Sequence, residues 1–231
     1  MSRPGRLIAI EGIDGAGKST LAANLYRRLG DAGFQARLVQ RYWNSSLTAL
    51  WRRALERDAV TQRDAALLAA ADSAFGQEGI LNPALRAGEV VVADRYVYSH
   101  IVHFAARGVT RPHLEVWFSG FAAPDVILYL DAPPEIARDR LAAKGKPDFW
   151  ECGLDNAIGM SIGQAWREFQ RQQPQPSELH GQLERYQQKL ADLYAQILPD
   201  RLTQRLDAGL PPDELSECAW QALGPLLEQN V

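Results

Sequence analysis

The 231-residue sequence predicts one α/β domain in three layers, in which a five-stranded parallel sheet is flanked by helices. Two observations carry this prediction. Short apolar runs have the length of buried strands, and longer segments whose apolar residues recur every three or four positions separate them. Strands that alternate with helices favour a parallel sheet with right-handed crossovers. The length fits a single domain, which we take as residues 1–231.

The predicted strands are apolar runs bounded by turn residues. In chain order they cover residues 7–11, 34–41, 90–93, 126–130 and 201–207. The first run is apolar almost without a break, as expected of a strand buried on both faces. The run at 90–93 reads Val-Val-Val-Ala and is the clearest strand in the sequence.

The predicted helices begin with residues 19–29, where Leu21, Leu25 and Leu29 repeat every four positions on one face. The later helices cover 47–57, 61–75, 80–87, 98–107, 111–121, 133–144, 179–198 and 211–227. The helix at 179–198 is strongly amphipathic. Its predicted apolar face comprises Leu183, Tyr186, Leu190, Leu193, Tyr194 and Ile197.

Residues 145–163 form a polar stretch with weak periodicity that glycines interrupt. We interpret this stretch as a lid-like segment of the same domain. The sequence alone assigns no role to its Trp150 and Cys152.

The composition excludes several classes of protein. The net charge of −3 argues against sequence-independent binding to nucleic acid, which needs a basic surface. Two cysteines make neither a disulfide framework nor a metal cluster, which favours a reducing compartment. The sequence has no signal-peptide layout and no apolar stretch long enough to span a bilayer. We therefore expect a cytoplasmic protein with neither nucleic acid nor membrane as a partner.

The strongest motif is the stretch of residues 12–19, which reads G-x-x-x-x-G-K-S between the first predicted strand and helix. That context of strand, Gly-rich turn and helix is typical of a phosphate-binding loop. The glycines allow backbone conformations in which successive N–H groups point into one concavity at the positive end of the helix. Lys18 is expected to reach the β- and γ-phosphates, and the Ser19 hydroxyl to bind Mg²⁺.

Charged residues follow four of the five predicted strands. They are Asp14 and Lys18, Arg41, Asp94 and Arg95, and Asp131. Because ligands of open α/β sheets bind beyond the carboxyl ends of the strands, these groups are expected to converge on one site. Asp94 suits Mg²⁺, and the planar guanidinium of Arg95 suits a phosphate. Arg41 is either a second anion contact or a solvated arginine, and Asp131 either a metal ligand or a helix cap.

Three further groups are candidates for contacts to the substrates. Asp14 lies inside the phosphate loop, where a carboxylate is costly, and we expect it to accept a hydrogen bond from a sugar hydroxyl. Tyr96 adjoins Arg95 and is our candidate for stacking on a base. Four cations on or beside the lid-like segment are candidates for closing over the phosphates, and a solvated helix face is the alternative for each. They are Arg138, Arg140, Lys144 and Lys146.

Together these residues resemble the thymidylate kinase family of P-loop nucleoside monophosphate kinases. Residues 11–20 (E-G-I-D-G-A-G-K-S-T) are similar to that family's phosphate loop, and residues 94–99 match its D-R-Y-x-x-S pattern. Weaker similarity is found at residues 67–72, 124–131 and 206–208.

The resemblance implies a P-loop NTPase fold, ATP and Mg²⁺ as cofactors, and a homodimer. By position, the ATP-binding residues would be Gly12, Asp14, Gly15, Ala16, Gly17, Lys18, Ser19 and Thr20. Lys18, Asp94, Arg95 and Asp14 would be catalytic, with Ser19 and Asp94 on the metal. Arg41, Ser73, Tyr96 and Ser99 would contact the phosphate acceptor.

The sequence departs from the family pattern around the acceptor. Tyr42 and Trp43 follow Arg41 where the family has Glu-Pro, and Ser73 stands where it has an arginine. Residues 102–104 read Val-His-Phe in place of Ala-Tyr-Gln. The expected function is transfer of the γ-phosphate of ATP to a (deoxy)nucleoside monophosphate, with dTMP as the leading acceptor. Two alternatives stay open: a kinase of nucleosides or other small alcohols with Glu11 or Asp94 as general base, and an ATP-binding regulatory protein without efficient transfer.

Overall fold

The computed structural model describes residues 5–40, 50, 53–54, 60–144, 149–156 and 160–228. Its sheet has five parallel strands in the order β2-β3-β1-β4-β5. The strands are β1 (Arg6–Gly12), β2 (Ala36–Gln40), β3 (Val90–Asp94), β4 (Val126–Asp131) and β5 (Thr203–Asp207). All five predicted strands are present, and the predicted α/β fold is confirmed.

Helices of the described residues flank this sheet. They are α1 (Lys18–Asp31), α2 (Gln62–Gly76), α3 (Asn82–Arg86), α4 (Val97–Ala106), α5 (Arg111–Trp117), α6 (Pro134–Ala142), α7 (Ile162–Gln172), α8 (Pro176–Ile197) and α9 (Pro212–Glu228). α1 packs against α9 and the sheet, while α8 packs against both α4 and α6. None of the helices in the described part of the chain has the length and apolar character needed to cross a membrane.

The register of the parallel strands aligns their carboxyl ends. Ile10 of β1 pairs with Asp94 of β3, and Gly12 pairs with Leu130 of β4. The central strands β1, β3 and β4 are almost fully buried, as their unbroken apolar runs predict. The residues that follow β1, β3 and β4 therefore emerge side by side at one edge.

Two predicted helix boundaries are wrong. The helix predicted at 80–87 is not separate, because α2 continues through a π-helical turn (Gln77–Leu81) into α3. Side-chain contacts hold this turn in place, since Gln77 accepts a hydrogen bond from the Ala122 amide and donates one to the Gly120 carbonyl. The helix predicted at 111–121 ends at Trp117. The helix predicted at 47–57 lies largely outside the described residues.

Residues 149–156 of the lid-like segment pack onto the domain and end in a short 3₁₀ turn (Leu154–Asn156). Trp150 stacks on Trp166 of α7 at a centroid distance of 6.0 Å, and Phe149 meets both rings edge-on. Cys152 is buried in a small apolar cluster with Leu183 of α8. These contacts supply the structural role that the sequence could not assign to Trp150 and Cys152.

Candidate active site

The phosphate loop connects β1 to α1, and its glycines have backbone conformations that other residues rarely adopt. The φ angles of Gly15 and Gly17 are +80° and +102°. A Cβ atom on Gly15 would lie 2.6 Å from the carbonyl oxygen of Ala137 in α6. The loop thus needs glycine at position 15 both for its backbone conformation and for the close approach of α6.

Lys18 lies beneath this loop and is buried. Its Nζ donates to the carbonyl oxygen of Gly12 at 2.8 Å and also to that of Ile13. Burial and the nearby Arg95 guanidinium lower the pKa of Lys18 to about 7, although Asp14 and other carboxylates act in the opposite direction. A phosphate beside Nζ would favour the charged amine, so the site is suited to a highly anionic ligand.

Arg95 directly follows β3, and its side chain contacts the phosphate loop. Its φ angle of +72° is unusual for a residue with a side chain and costs free energy that the surrounding contacts must offset. The Arg95 amide donates to the Ile10 carbonyl at 3.0 Å, and its guanidinium forms an ion pair with Asp14. Burial alone would raise the pKa of Asp14, but the charge of Arg95, together with His103, Lys18 and a hydrogen bond from Gln187, outweighs burial and lowers that pKa.

Asp94 and Ser19 are the two residues that we predicted as ligands of Mg²⁺. Asp94 is only 7% exposed, and its Oδ1 has no hydrogen-bond partner among the described residues. An unpaired buried carboxylate oxygen is costly, and a hydrated Mg²⁺ would satisfy it. Ser19 lies exposed in the first turn of α1. The described residues hold no group of three metal-binding side chains, so these two residues fit a metal that is also bound by phosphate oxygens.

Glu11, the residue before Gly12, is fully buried and saturated with hydrogen bonds. Its Oε1 accepts from the amides of Tyr96 at 2.9 Å and Ser99 at 3.2 Å. Its Oε2 accepts from the Ser99 hydroxyl and from the Tyr194 hydroxyl at 3.1 Å. Burial raises the pKa of Glu11, and the hydrogen bonds from Ser99 and Tyr96 act against that rise. Glu11 therefore holds the start of α4 rather than facing a substrate.

The side chains of Tyr96, Ser99 and Ser73 point into the protein. Tyr96 is 1% exposed, and its hydroxyl donates to the Ala122 carbonyl at 2.8 Å. Its ring thus lies in the core, which is a correction to our expectation that it offers a surface for stacking a base. Ser99 binds Glu11, as described above, and its Oγ lies 3.5 Å from Arg95 Nη1. Ser73 is buried on α2, and its Oγ has no partner among the described residues.

The four candidate cations of the lid-like region separate into different environments. Arg140 binds the phosphate loop, because its guanidinium donates to the Ala16 carbonyl at 3.2 Å and the Ala208 carbonyl at 2.8 Å. Arg138 instead pairs with Asp139 and Glu184. Lys144 is exposed. Lys146, like Arg41, lies outside the described residues.

Asp131 does not take one of the two roles predicted for it, that of a helix cap. It is exposed, and its carboxylate lies 3.8 Å from Arg205 of the neighbouring strand β5. Helix α6 begins without a side-chain cap, so Asp131 does not cap it. Asp131 lines a cavity of about 420 Å³ between β4, β5 and α8.

The sequence interpretation missed two contributions to the site from α8. The hydroxyl of Tyr194 binds Glu11, and the amide of Gln187 binds the phosphate loop. A signal for Gln187 was present in the sequence. Positions 183, 187, 190 and 194 share one helical face, so a glutamine at 187 interrupts an otherwise apolar stripe.

A third missed contribution comes from the C-terminal end of α4 and the residue that follows it, Arg107. Arg107 forms a buried ion pair with Asp155, and its Nη1 lies 3.3 Å from Nδ1 of His103. Burial lowers the pKa of His103 well below its usual value, and Asp14 only partly opposes this shift. The imidazole is therefore neutral at physiological pH, with Arg107 donating to its Nδ1.

Comparison with known proteins agrees with this geometry. The family model described as thymidylate kinase matches residues 10–155. A probable thymidylate kinase of Archaeoglobus fulgidus is 35% identical over 162 residues, which are 65% of this chain and 82% of the relative. A thymidylate kinase of Xanthomonas campestris pv. campestris is 36% identical over 141 residues, covering 61% of this chain and 62% of the relative. A probable thymidylate kinase of Pyrococcus horikoshii is 36% identical over 148 residues, covering 61% and 72%.

The matched region contains the phosphate loop, the Asp94–Arg95 turn and Ser99, which are the residues on which the predicted resemblance rested. Because the family model covers more than half of the sequence, the chain belongs to the thymidylate kinase family.

Proposed function

We propose that this chain transfers the γ-phosphate of ATP to a nucleoside monophosphate, and that dTMP is its acceptor. The observation that carries the proposal is the ion pair between Asp14 of the phosphate loop and Arg95. This ion pair brings the Arg95 guanidinium, our candidate for binding the acceptor phosphate, beside the loop that would hold the donor. Phosphoryl transfer depends on such positioning and on charge neutralisation more than on covalent participation by the protein.

Each residue of the site has a defined task in this proposal. The loop amides and Lys18 hold the β- and γ-phosphates, and the Arg95 fork binds the acceptor phosphate. Asp14 keeps Arg95 oriented and accepts a hydrogen bond from the acceptor sugar. Ser19 and Asp94 would hold Mg²⁺, which when bound neutralises charge on the transferred phosphate. Arg140 ties α6 to the loop at Ala16.

The hydrogen bonds of Glu11 exclude one of the two general bases that a nucleoside kinase could use, and the other, Asp94, is assigned to Mg²⁺ in this proposal. A nucleoside kinase needs a general base within hydrogen-bond reach of the attacking hydroxyl. Both carboxylate oxygens of Glu11 are occupied by donors from α4 and α8, and the residue is fully buried. An acceptor that brings its own charged phosphate needs the guanidinium of Arg95 instead.

A panel assay tests the proposal. ADP release from ATP·Mg²⁺ is measured with dTMP, dUMP, dCMP, UMP, CMP, AMP, GMP and the matching nucleosides. We expect the highest kcat/KM with dTMP, and we expect R95K, which keeps the charge but loses the planar fork, to lose more activity than R37K at an exposed ion pair. Turnover with nucleosides alone would favour the alternative kinase. ATP binding without turnover of any acceptor would favour a regulatory protein.

We further propose that the chain is a homodimer in the cytoplasm. Large apolar side chains support this, since Phe75 of α2 is 62% exposed and Val116 of α5 is 70% exposed. Sedimentation equilibrium of the wild type and of a F75E variant would test the dimer. A wild-type mass of one chain would contradict it.

A further inference from the structure

Gln187 is a polar residue in the buried face of α8. It is fully buried, and Leu183, Leu190 and Tyr194 on the same face are also buried. Long polar side chains are rarely found in such a position, because burying an amide without hydrogen bonds costs free energy. The amide of Gln187 must therefore have partners that repay its burial.

Those partners belong to two segments that are distant in sequence. The Oε1 atom of Gln187 accepts a hydrogen bond from the backbone N–H of Asp14 at 2.9 Å. Its Nε2 atom donates to the backbone carbonyl of Glu151 at 2.8 Å and lies 3.5 Å from Oδ2 of Asp14. A backbone donor at one end and a backbone acceptor at the other fix the orientation of the amide.

Glu151 belongs to the segment of residues 149–156, whose position is fixed by several contacts to the domain. Gln182 of α8 donates to the Cys152 carbonyl at 3.2 Å, and Arg107, which follows α4, pairs with the buried Asp155. Gly153 lies against the ring of Tyr186 so closely that a Cβ atom would come within 2.4 Å of that ring. The residues that follow Glu151 are thus fastened to α8 and to Arg107.

Asp14, at the other end of this bridge, also contacts the guanidinium of Arg95. The backbone of Asp14 is held by Gln187, and its carboxylate pairs with Arg95. A shift of the Asp14 backbone would therefore move the carboxylate that orients Arg95. Misplacement of reacting groups by even a fraction of an ångström reduces the rate of transfer.

We propose that Gln187 is a positioning residue, which fixes Asp14 for the phosphate acceptor by linking the phosphate loop to the 149–156 segment. Gln187 acts through Asp14 and does not itself contact the substrates. This inference rests on the proposed function only in its kinetic consequence, because the hydrogen bond itself can be observed without turnover.

The test uses Q187L and Q187M, which remove the amide, and Q188L as the matched control. Gln188 is the next residue of α8, is exposed, and binds Asp192 on its own helix. We expect kcat/KM for dTMP to fall about tenfold in Q187L and Q187M, as loss of a buried hydrogen-bonding amide implies, with a smaller change in KM for ATP. Q188L should retain wild-type values. Combined with D14N, the Q187M change should add little, because both act through one contact.

Amide hydrogen exchange of Asp14, followed by NMR, separates this inference from the proposed function. The Asp14 amide should exchange slowly in the wild type and in Q188L, and faster in Q187L or Q187M. An Asp14 amide that is unprotected in the wild type, or equally protected in the Gln187 variants, would overturn the inference, and so would fully additive effects with D14N. A wild type that does not phosphorylate dTMP would refute the proposed function and leave the exchange result to decide on Gln187.

Discussion

Replacing Gly15 by alanine tests whether the phosphate loop and α6 are packed as one unit. Gly15 has a φ angle of +80°, and an added Cβ would lie 2.6 Å from the Ala137 carbonyl oxygen and 3.0 Å from its Cα. Gly33, in the turn after α1, provides a matched control. Its φ angle is +85°, and a Cβ added there would meet no atom within 4 Å.

The two substitutions share one cost and differ in another. The left-handed backbone conformation costs an alanine about 1–2 kcal/mol at either position. Only G15A adds a collision with the backbone of a helix, and forcing extra atoms into a packed region typically costs a further 1–3 kcal/mol or so. We therefore expect unfolding free energies lowered by about 1–2 kcal/mol in G33A and by about 2–5 kcal/mol in G15A.

Urea unfolding followed by circular dichroism measures both changes, and the KM for ATP provides a functional readout. If G15A relieves the collision by moving α6, Arg140 loses its contact with the Ala16 carbonyl, and the KM for ATP rises. G33A should leave that KM unchanged. Equal destabilisation by the two substitutions, with no effect of G15A on ATP, would refute the idea that α6 supports the loop.

Three other changes probe the charged groups around the loop. Burial lowers the pKa of Lys18 to about 7 from 10.5. Between these pH values the folded protein binds fewer protons at Lys18 than the unfolded protein, so the free energy of unfolding of the wild type rises with pH. K18M should therefore be most stabilising relative to the wild type below pH 7 and progressively less so towards pH 10.5, as urea unfolding at several pH values would show; a constant difference would contradict the lowered pKa. E11A should lower the unfolding free energy by about 3 kcal/mol by leaving buried amides at the start of α4 unpaired, whereas E11Q keeps acceptors for them and should cost less; thermal unfolding that ranks the two variants the other way would count against this role. R140A should raise the KM for ATP about tenfold through loss of two hydrogen bonds from a charged donor, and R138A, which removes ion pairs with Asp139 and Glu184, serves as its kinetic control.

The phosphate loop could be predicted because its pattern is local. The glycines, Lys18 and Ser19 stand within eight residues, and the strand before them and the helix after them have clear periodicities. The same holds for Asp94 and Arg95, which directly follow an unmistakable strand. The family membership inferred from these two motifs is confirmed by the match over residues 10–155.

Features that depend on distant contacts could not be predicted from such patterns. Tyr96 was expected in the site because it adjoins Arg95, yet its extended backbone turns its side chain away from that of its neighbour and into the core. The π-helical turn after α2 depends on hydrogen bonds between Gln77 and residues 43 and 45 positions away. The sequence near Tyr96 or Gln77 carries no information about these distant partners.

The roles of Gln187 and Tyr194 show the same limit most clearly. Their partners Asp14 and Glu11 lie 173 and 183 positions earlier in the chain. The helical period identified the buried face of α8, but only the fold reveals that this face meets the phosphate loop.

These long separations in sequence also have a consequence for folding during synthesis. The phosphate loop leaves the ribosome well before α8 does, because more than 150 residues separate them in the chain. Contacts between residues so far apart close slowly, and a nascent chain that lacks α8 leaves Glu11 and the Asp14 amide without their α8 partners. We infer that the phosphate loop becomes competent only after α8 has been made, so nucleotides would bind chains that contain α8 in preference to nascent chains that lack it.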